Sequence, residues 1–294
     1  MTHSFRNDRF NMNVSLKLQE YSTYWQPSED GVWRNTDIEV ISYPSDGNDT
    51  CFRIEEDSFW FLHRNRIIGS LVSNFCSKGV FFDVGGGNGF VAKALQDQGQ
   101  TTVLVEPGGP GVANAMKRGV INVVQSMWSP ETVHAGVAAA VGLFDVVEHI
   151  EDDLQFLQGV RETLAPNGLV FITVPAFAWL WSNEDVHAGH FRRYTLSQLH
   201  VLLQKAGFHV EFSSYFFSPL TLPIFLLRSI PSFIGLRTKV DSATTIREHT
   251  QKPGMVGTVI GKTLSWEAAR IARGNQIFVG SSCVIVGRKI TGGE

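Results

Sequence analysis

Apolar residues in this chain follow two rhythms. Short runs rich in β-branched and aromatic residues recur at 80–84, 101–106, 121–125, 137–144, 168–174, 209–215 and 281–288, and each predicts a buried strand. Segments with helical spacing lie between them at 89–97, 110–118, 152–164 and 195–206, with a short helix expected after residue 125. Strands alternating with helices predict a doubly wound α/β fold with a mostly parallel sheet. Upstream, "EDSFWFLHRNRIIGSLVSNF" predicts a helix with Phe59, Leu62, Arg66 and Leu71 in its spacing and acids at its start. Residues 1–50 are polar, with scattered aromatics and turn signals such as "PSDGND".

Composition narrows the class. The chain has 294 residues, 43% hydrophobic and 18% charged, which suits a globular protein with a sizeable core. A net charge of −3 supplies no basic stripe for nucleic acid. Cys51, Cys76 and Cys283 stand apart, with no C-x-x-C pair, so reduced thiols and a cytoplasmic location are expected. The first residues, "MTHSFRNDRFNMNVSLK", hold no apolar run of signal-peptide length.

The chemistry begins at "VFFDVGGGNGFVAKALQDQGQTTVLVEPGG", residues 80–109. A strand, a glycine turn, a helix and a second strand make a βαβ unit with a right-handed crossover. Gly85, Gly87 and Gly89 let a ligand approach the backbone, and the helix start beyond them supplies unpaired N–H groups. Glu106, ending the second strand, is placed to bind the two hydroxyls of a ribose. A dinucleotide fingerprint would put its third glycine at position 90, where this chain has Phe90. The pattern is instead D-x-G-x-G-x-G, led by Asp83, which disfavours a nicotinamide-dependent oxidoreductase.

Here the chain resembles the class I S-adenosylmethionine-dependent methyltransferases. "FFDVGGGNG" and "VLVEP" look like their first two motifs. "AAAVGLFDVVEHIEDDLQFLQGVRETLAPNGLVFITVP" and "LWSNEDVHAGHFRRYT" followed by "AGF" come closest to the branch with the ubiquinone-biosynthesis methyltransferases and bacterial relatives of unassigned substrate. The resemblance covers roughly residues 56–217, with "GSSCVIVGRK" as a last strand. It implies a seven-stranded sheet whose last strand inserts antiparallel beside the fifth. It also implies S-adenosylmethionine as cofactor, held by Asp83, Gly85, Gly86, Gly87, Gly89, Glu106, Pro107, Ser126, Met127, Asp145 and Val146. The organisation expected is an N-terminal extension at 1–55 and a methyltransferase domain at 56–294, with an apolar insertion or lid at 216–278. A non-catalytic protein that keeps the cofactor pocket is the alternative outside enzymology.

Methyl transfer from a sulfonium is a direct displacement that depends on alignment, and an oxygen nucleophile also needs its proton removed. "DVVEHIED" puts Asp145, Glu148 and His149 after the fourth strand, at the edge that borders the ligand crevice. "WSNEDVHAGHFRRYT" brings Asp185, His187, His190, Arg192, Arg193 and Tyr194 to the same edge. His190 is the preferred base, with His149 and Asp185 as further catalytic candidates and Trp181, Arg193 and Tyr194 as acceptor contacts. No metal is expected, because Asp185, His187 and His190 lack a distant fourth partner. "FDVVEH" also lacks the Asn/Asp-Pro-Pro-aromatic signature of base methylation, so the acceptor expected is a small or lipid-linked molecule.

One apolar stretch stands apart. "YFFSPLTLPIFLLRSIPSFIG", residues 215–235, is interrupted by Pro219, Pro223, Arg228 and Pro231, which predicts short broken helices rather than a span. A lid, an oligomer contact or peripheral contact with a bilayer are the roles open to it.

Overall fold

The computed structural model describes residues 16–35, 51–76, 78–236 and 255–290. The turn signal "PSDGND" and the middle of the insertion lie outside these residues. Sequence runs expected as strands form β3 (Phe81–Val84), β4 (Thr102–Val105), β5 (Val123–Gln125), β6 (Ala138–Phe144), β7 (Leu164–Pro175), β8 (Phe208–Phe216) and β9 (Ser282–Lys289). Helices α1 (Phe59–Phe75), α2 (Phe90–Asp97), α3 (Gly109–Lys117), α4 (Asp153–Thr163), α5 (Asn183–Ala188) and α6 (Leu196–Lys205) connect them. Among the described residues of the insertion are two further helices, α7 at 221–233 and α8 (Met255–Ala272).

With β1 (Trp25–Pro27) and β2 (Trp33–Asn35) at one edge, the sheet order is β1-β2-β5-β4-β3-β6-β7-β9-β8. β3 pairs in parallel with both β4 and β6, so the chain reverses its direction of winding beside β3. That switch point places the glycine turn after β3 in the crevice where open α/β sheets bind ligands. β9 runs antiparallel between β7 and β8, as the resemblance implies. Among the described residues the sheet has nine strands rather than seven. The extra pair, β1 (Trp25–Pro27) and β2 (Trp33–Asn35), comes from the N-terminal region, and β2 adds in parallel to β5.

The pleat sends neighbouring residues to opposite layers. Phe82, Val103, Val105, Val141 and Ile172 pack with Leu157, Val160, Leu199 and Leu203 from α4 and α6. Phe81, Ala140, Phe171 and Val286 pack with Ile67, Ile68 and Leu71 of α1, Leu95 of α2 and Ile271 of α8. Leu18 and Trp25 belong to the first layer, and the Trp25 ring sits 6.4 Å from Phe82 and 6.5 Å from Trp128.

Four local expectations are corrected. α1 begins after Ser58 with no acid in its first turn, where acids were expected, and it buries Phe61, Asn65, Ile68, Leu71 and Val72 while Leu62 is exposed. No helix forms between β5 and β6, where residues 126–137 make turns. β7 starts at Leu164, and "APNG" makes a bulge inside it: pairing moves from Ala138↔Leu164 to Ala140↔Leu169. α7 is one helical run with a wide turn at Phe225–Ser229 rather than separate pieces. Pro231 has no N–H to return to the Leu227 carbonyl, which accounts for a relaxed turn there.

Candidate active site

The glycine turn and the end of β4 are built as one unit. Glu106 is 8% exposed, and its carboxylate accepts from Gly87 N–H at 2.8 Å and Gly108 N–H at 2.7 Å. Each oxygen keeps a second lone pair, which suits it to a pair of ribose hydroxyls. Burial raises the Glu106 carboxyl, and the two amide donors oppose that rise. Gly89 caps α2 at φ 70°, a conformation that favours glycine. A side chain at Gly86 would place its first carbon 2.5 Å from Asp83 Oδ2 and 2.5 Å from Leu104 Cδ1, so the turn rests directly on the Asp83 carboxyl. Asp83 is fully buried, and burial pushes it up to about 7 against the opposing pull of Arg64.

Other expected cofactor residues surround this unit. Val146 packs against Gly85, its Cγ2 2.9 Å from where a first side-chain carbon there would sit. Pro107 precedes α3, and its carbonyl accepts from Gln125 Nε2 at 3.4 Å. Ser126 is buried with its hydroxyl donated to the Met127 carbonyl at 2.8 Å, and the Met127 side chain is exposed. Asp145 adopts φ 58° at the end of β6, accepts from Thr173 Oγ1 at 3.2 Å and pairs with Arg64 of α1.

Sequence reasoning missed Arg64, which lies over the rings of Trp60 and Phe61 at 5.2 and 5.4 Å. It also missed a buried network behind the glycine turn. Arg118 donates to Glu55 Oε2 at 2.8 Å and to the Asn88 carbonyl at 2.8 Å, while Asn88 Nδ2 reaches Glu55 Oε1 at 3.3 Å. This network ties the segment before α1 to the cofactor turn. The signal available was an Asn within "GGGNG", where a further glycine would need no partner.

The second half of the site forms after β6 and β7. Asp185 is 1% exposed and accepts from Arg193 Nε at 2.8 Å, Arg193 Nη2 at 2.9 Å and Ser182 N–H at 2.8 Å. His190 Nδ1 lies 2.9 Å from Asp185 Oδ1. Burial works against the ionised Asp185, yet His190 and Arg193 outweigh it and hold the carboxyl below its ordinary value. The His149 and His190 rings meet edge to face with centroids 4.8 Å apart. Burial and His190 push His149 down to about 4, so it is neutral at physiological pH. Glu148 is 1% exposed, and burial, reinforced by Asp145, raises its carboxyl well above the usual range.

Ligating atoms of Glu148, His149 and His190 lie within 4.8 Å of one another, close enough to share a divalent cation. His187, which the sequence grouped with His190 and Asp185, is exposed and stands outside this trio. Arg193 also donates to the Ala176 carbonyl at 3.2 Å, and the Tyr194 hydroxyl donates to Asp153 Oδ2 at 2.8 Å. Arg193 thus closes the 176–195 loop on itself, and Tyr194 pins it to α4. Trp181 is half-buried at the start of that loop.

α7 lies on the same loop. Ser229 Oγ donates to the Leu180 carbonyl at 2.9 Å, Asn183 N–H donates to Ser232 Oγ at 3.2 Å, and Trp179 meets Phe225 at 5.2 Å. The polar loop and the apolar segment are thus in direct contact. α8 secures the start of that segment: Glu267 accepts from Phe217 N–H at 2.7 Å, Ser218 N–H at 2.9 Å and His63 Nε2 at 2.8 Å.

Comparison with known proteins bears on this arrangement. Residues 62–211 match a family described as a methyltransferase domain. A probable S-adenosylmethionine-dependent methyltransferase of Mycolicibacterium smegmatis is 23% identical over 171 residues, 57% of this chain and 66% of the relative. Among solved structures, phosphoethanolamine N-methyltransferase 2 of Haemonchus contortus, in complex with S-adenosyl-L-methionine, superimposes with a TM-score of 0.53 at 17% identity. That match covers 86% of this chain and 61% of that one, so the chain spans just under two thirds of either relative. A possible histamine N-methyltransferase of Thermotoga maritima gives a TM-score of 0.50 at 15% identity, over 83% of this chain and 96% of that one. The two structural likenesses are likenesses of fold.

Proposed function

The chain belongs to the methyltransferase-domain family, and from that premise we propose that it methylates an oxygen of a small or lipid-linked acceptor. S-adenosylmethionine is the cofactor of such a domain and supplies a methyl group on a sulfonium. The observation that carries the cofactor half is Glu106, buried and held by Gly87 and Gly108 with lone pairs to spare for a ribose. Asp83 supports the turn from beneath, and Val146 closes it from the β6 side.

For the acceptor half, His190 is the base. With Nδ1–H donated to Asp185, the ring keeps the Nε2 lone pair free to take a proton from an acceptor hydroxyl. Asp185 holds the tautomer and orientation, and Arg193 and Ser182 hold Asp185. In this reading Asp185, Arg193 and Tyr194 position the loop, His149 lines it as a neutral ring, and Trp181 faces the acceptor. A direct displacement needs no Lewis acid, so the reading assigns no metal step to the Glu148–His149–His190 trio.

Methyl-tritiated S-adenosylmethionine incubated with the protein and a cell extract tests the proposal. Label in a lipid or small-molecule fraction that disappears with His190→Ala is expected. Label confined to protein or nucleic acid contradicts it.

A further inference from the structure

Glu148 and His149 stand in the turn Val147–His149 after β6, and His190 follows α5. Phe191 N–H donates to the Glu148 carbonyl at 2.8 Å, and His190 N–H donates to the Asp185 carbonyl at 2.9 Å, so the backbone holds the two segments together. One donor atom from each of Glu148, His149 and His190 lies within 4.8 Å of the other two. Donors on one zinc ion, each about 2.0–2.2 Å from it, stand at most about 4.4 Å apart. Side-chain shifts of about half an ångström or less therefore bring the three into range.

Glu148 is 1% exposed, and among the described residues no other residue donates a hydrogen bond to either of its carboxylate oxygens. A buried carboxyl without donors is costly, and a bound cation offsets that cost. Arg64 and Arg193 act on Glu148, yet Arg64 pairs with Asp145 and Arg193 with Asp185. Glu148 is left as the acid without a counter-charge of its own. Each histidine has one ring nitrogen engaged. His190 Nδ1 lies 2.9 Å from Asp185 Oδ1, and the Gly189 carbonyl accepts from the His149 ring. Such outer partners fix the tautomer of a metal-bound histidine and leave its other nitrogen to the ion. The His190 side chain is 16% exposed, which gives an ion a way in.

We propose that Glu148, His149 and His190 form a binding site for a zinc-class divalent cation. Two imidazoles and one carboxylate favour such an ion over magnesium or calcium, which take oxygen ligands. Three protein ligands leave a fourth position for water. Binding needs no methyl transfer, whereas its consequence rests on the methyl-transfer reading above. The ion takes the His190 lone pair that the base uses, so it inhibits, and its removal leaves transfer intact.

Cobalt(II) absorption and zinc calorimetry on the full chain test binding without any acceptor. One cobalt ion per chain is expected, with visible absorption that zinc abolishes and excess magnesium does not. Glu148→Gln and His149→Gln should each weaken zinc binding by about tenfold or more, with a cooperative melt showing that each variant is folded. Zinc should raise the melting temperature of the wild type more than that of either variant. His187→Ala, outside the trio, should bind zinc as the wild type does. Wild-type protein that binds neither ion overturns the proposal, as does cobalt displaced by magnesium. Equal zinc affinity in the wild type and both Gln variants also overturns it, and so does binding lost in His187→Ala. Zinc bound at the trio with methyl transfer undiminished leaves the site standing and contradicts the base assignment instead.

Discussion

His190 Nδ1 lies 2.9 Å from Oδ1 of Asp185, a carboxylate that is 1% exposed. The same carboxylate takes both prongs of Arg193. One buried acid thus orients the candidate base and is itself neutralised from behind. The two residues differ in what their loss should do.

His190→Ala should lower turnover by about 10²-fold or more, the scale of losing a general base. Cofactor affinity should stay within about twofold, because Glu106 is held by Gly87 and Gly108 and His190 by Asp185, two separate sets of bonds. Steady-state kinetics with calorimetry read both. Undiminished turnover would move the base assignment to His149.

Asp185→Ala should destabilise the fold as well as slow turnover. It leaves Arg193, whose side chain is only 10% exposed, without its counter-charge. Removing one partner of a buried pair costs about 3–5 kcal/mol. Thermal melting should show a loss that His190→Ala does not share.

His149 makes a prediction about pH. Its ring is held at about 4, below the ordinary 6.5, by burial and by His190. Between those values the unfolded chain binds the extra proton and the folded chain does not, so stability rises with pH through this window and falls as pH drops. His149→Gln should therefore narrow its deficit against wild type, or overtake it, on going from pH 7 to about pH 4.5. A difference in melting temperature that stays constant over that range contradicts the buried, neutral ring.

The Glu148–His149–His190 trio can be tested directly with a chelator. Turnover should survive EDTA after exhaustive dialysis. Loss of activity that a divalent cation restores would reassign the three to a metal centre, and His190 would be a ligand rather than a base.

Much of this was legible locally. "DVGGGNG" and Glu106 carry the cofactor turn within one βαβ unit, and the Gly87–Glu106 bond spans only 19 residues. The antiparallel β9 followed from the resemblance rather than from any periodicity. What escaped depends on distance in sequence or on brevity. Arg64 and Asp145 are 81 residues apart, and no local pattern joins them. β1 and β2 are three residues each, too short to show an alternation. The mixed spacing of α1 did not reveal its inner face, because Asn65 is inside it, donating to the Phe90 carbonyl at 3.0 Å, while Leu62 is outside.

The cofactor turn offers the most direct measurement. Isothermal calorimetry of the full chain with S-adenosylmethionine, its demethylated product and NAD should show binding of the first two and none of the third. Glu106→Ala should weaken that binding by about 1–3 kcal/mol, the scale of losing buried hydrogen bonds. Tight binding of NAD with no heat from the other two, or full affinity in Glu106→Ala, would contradict the account.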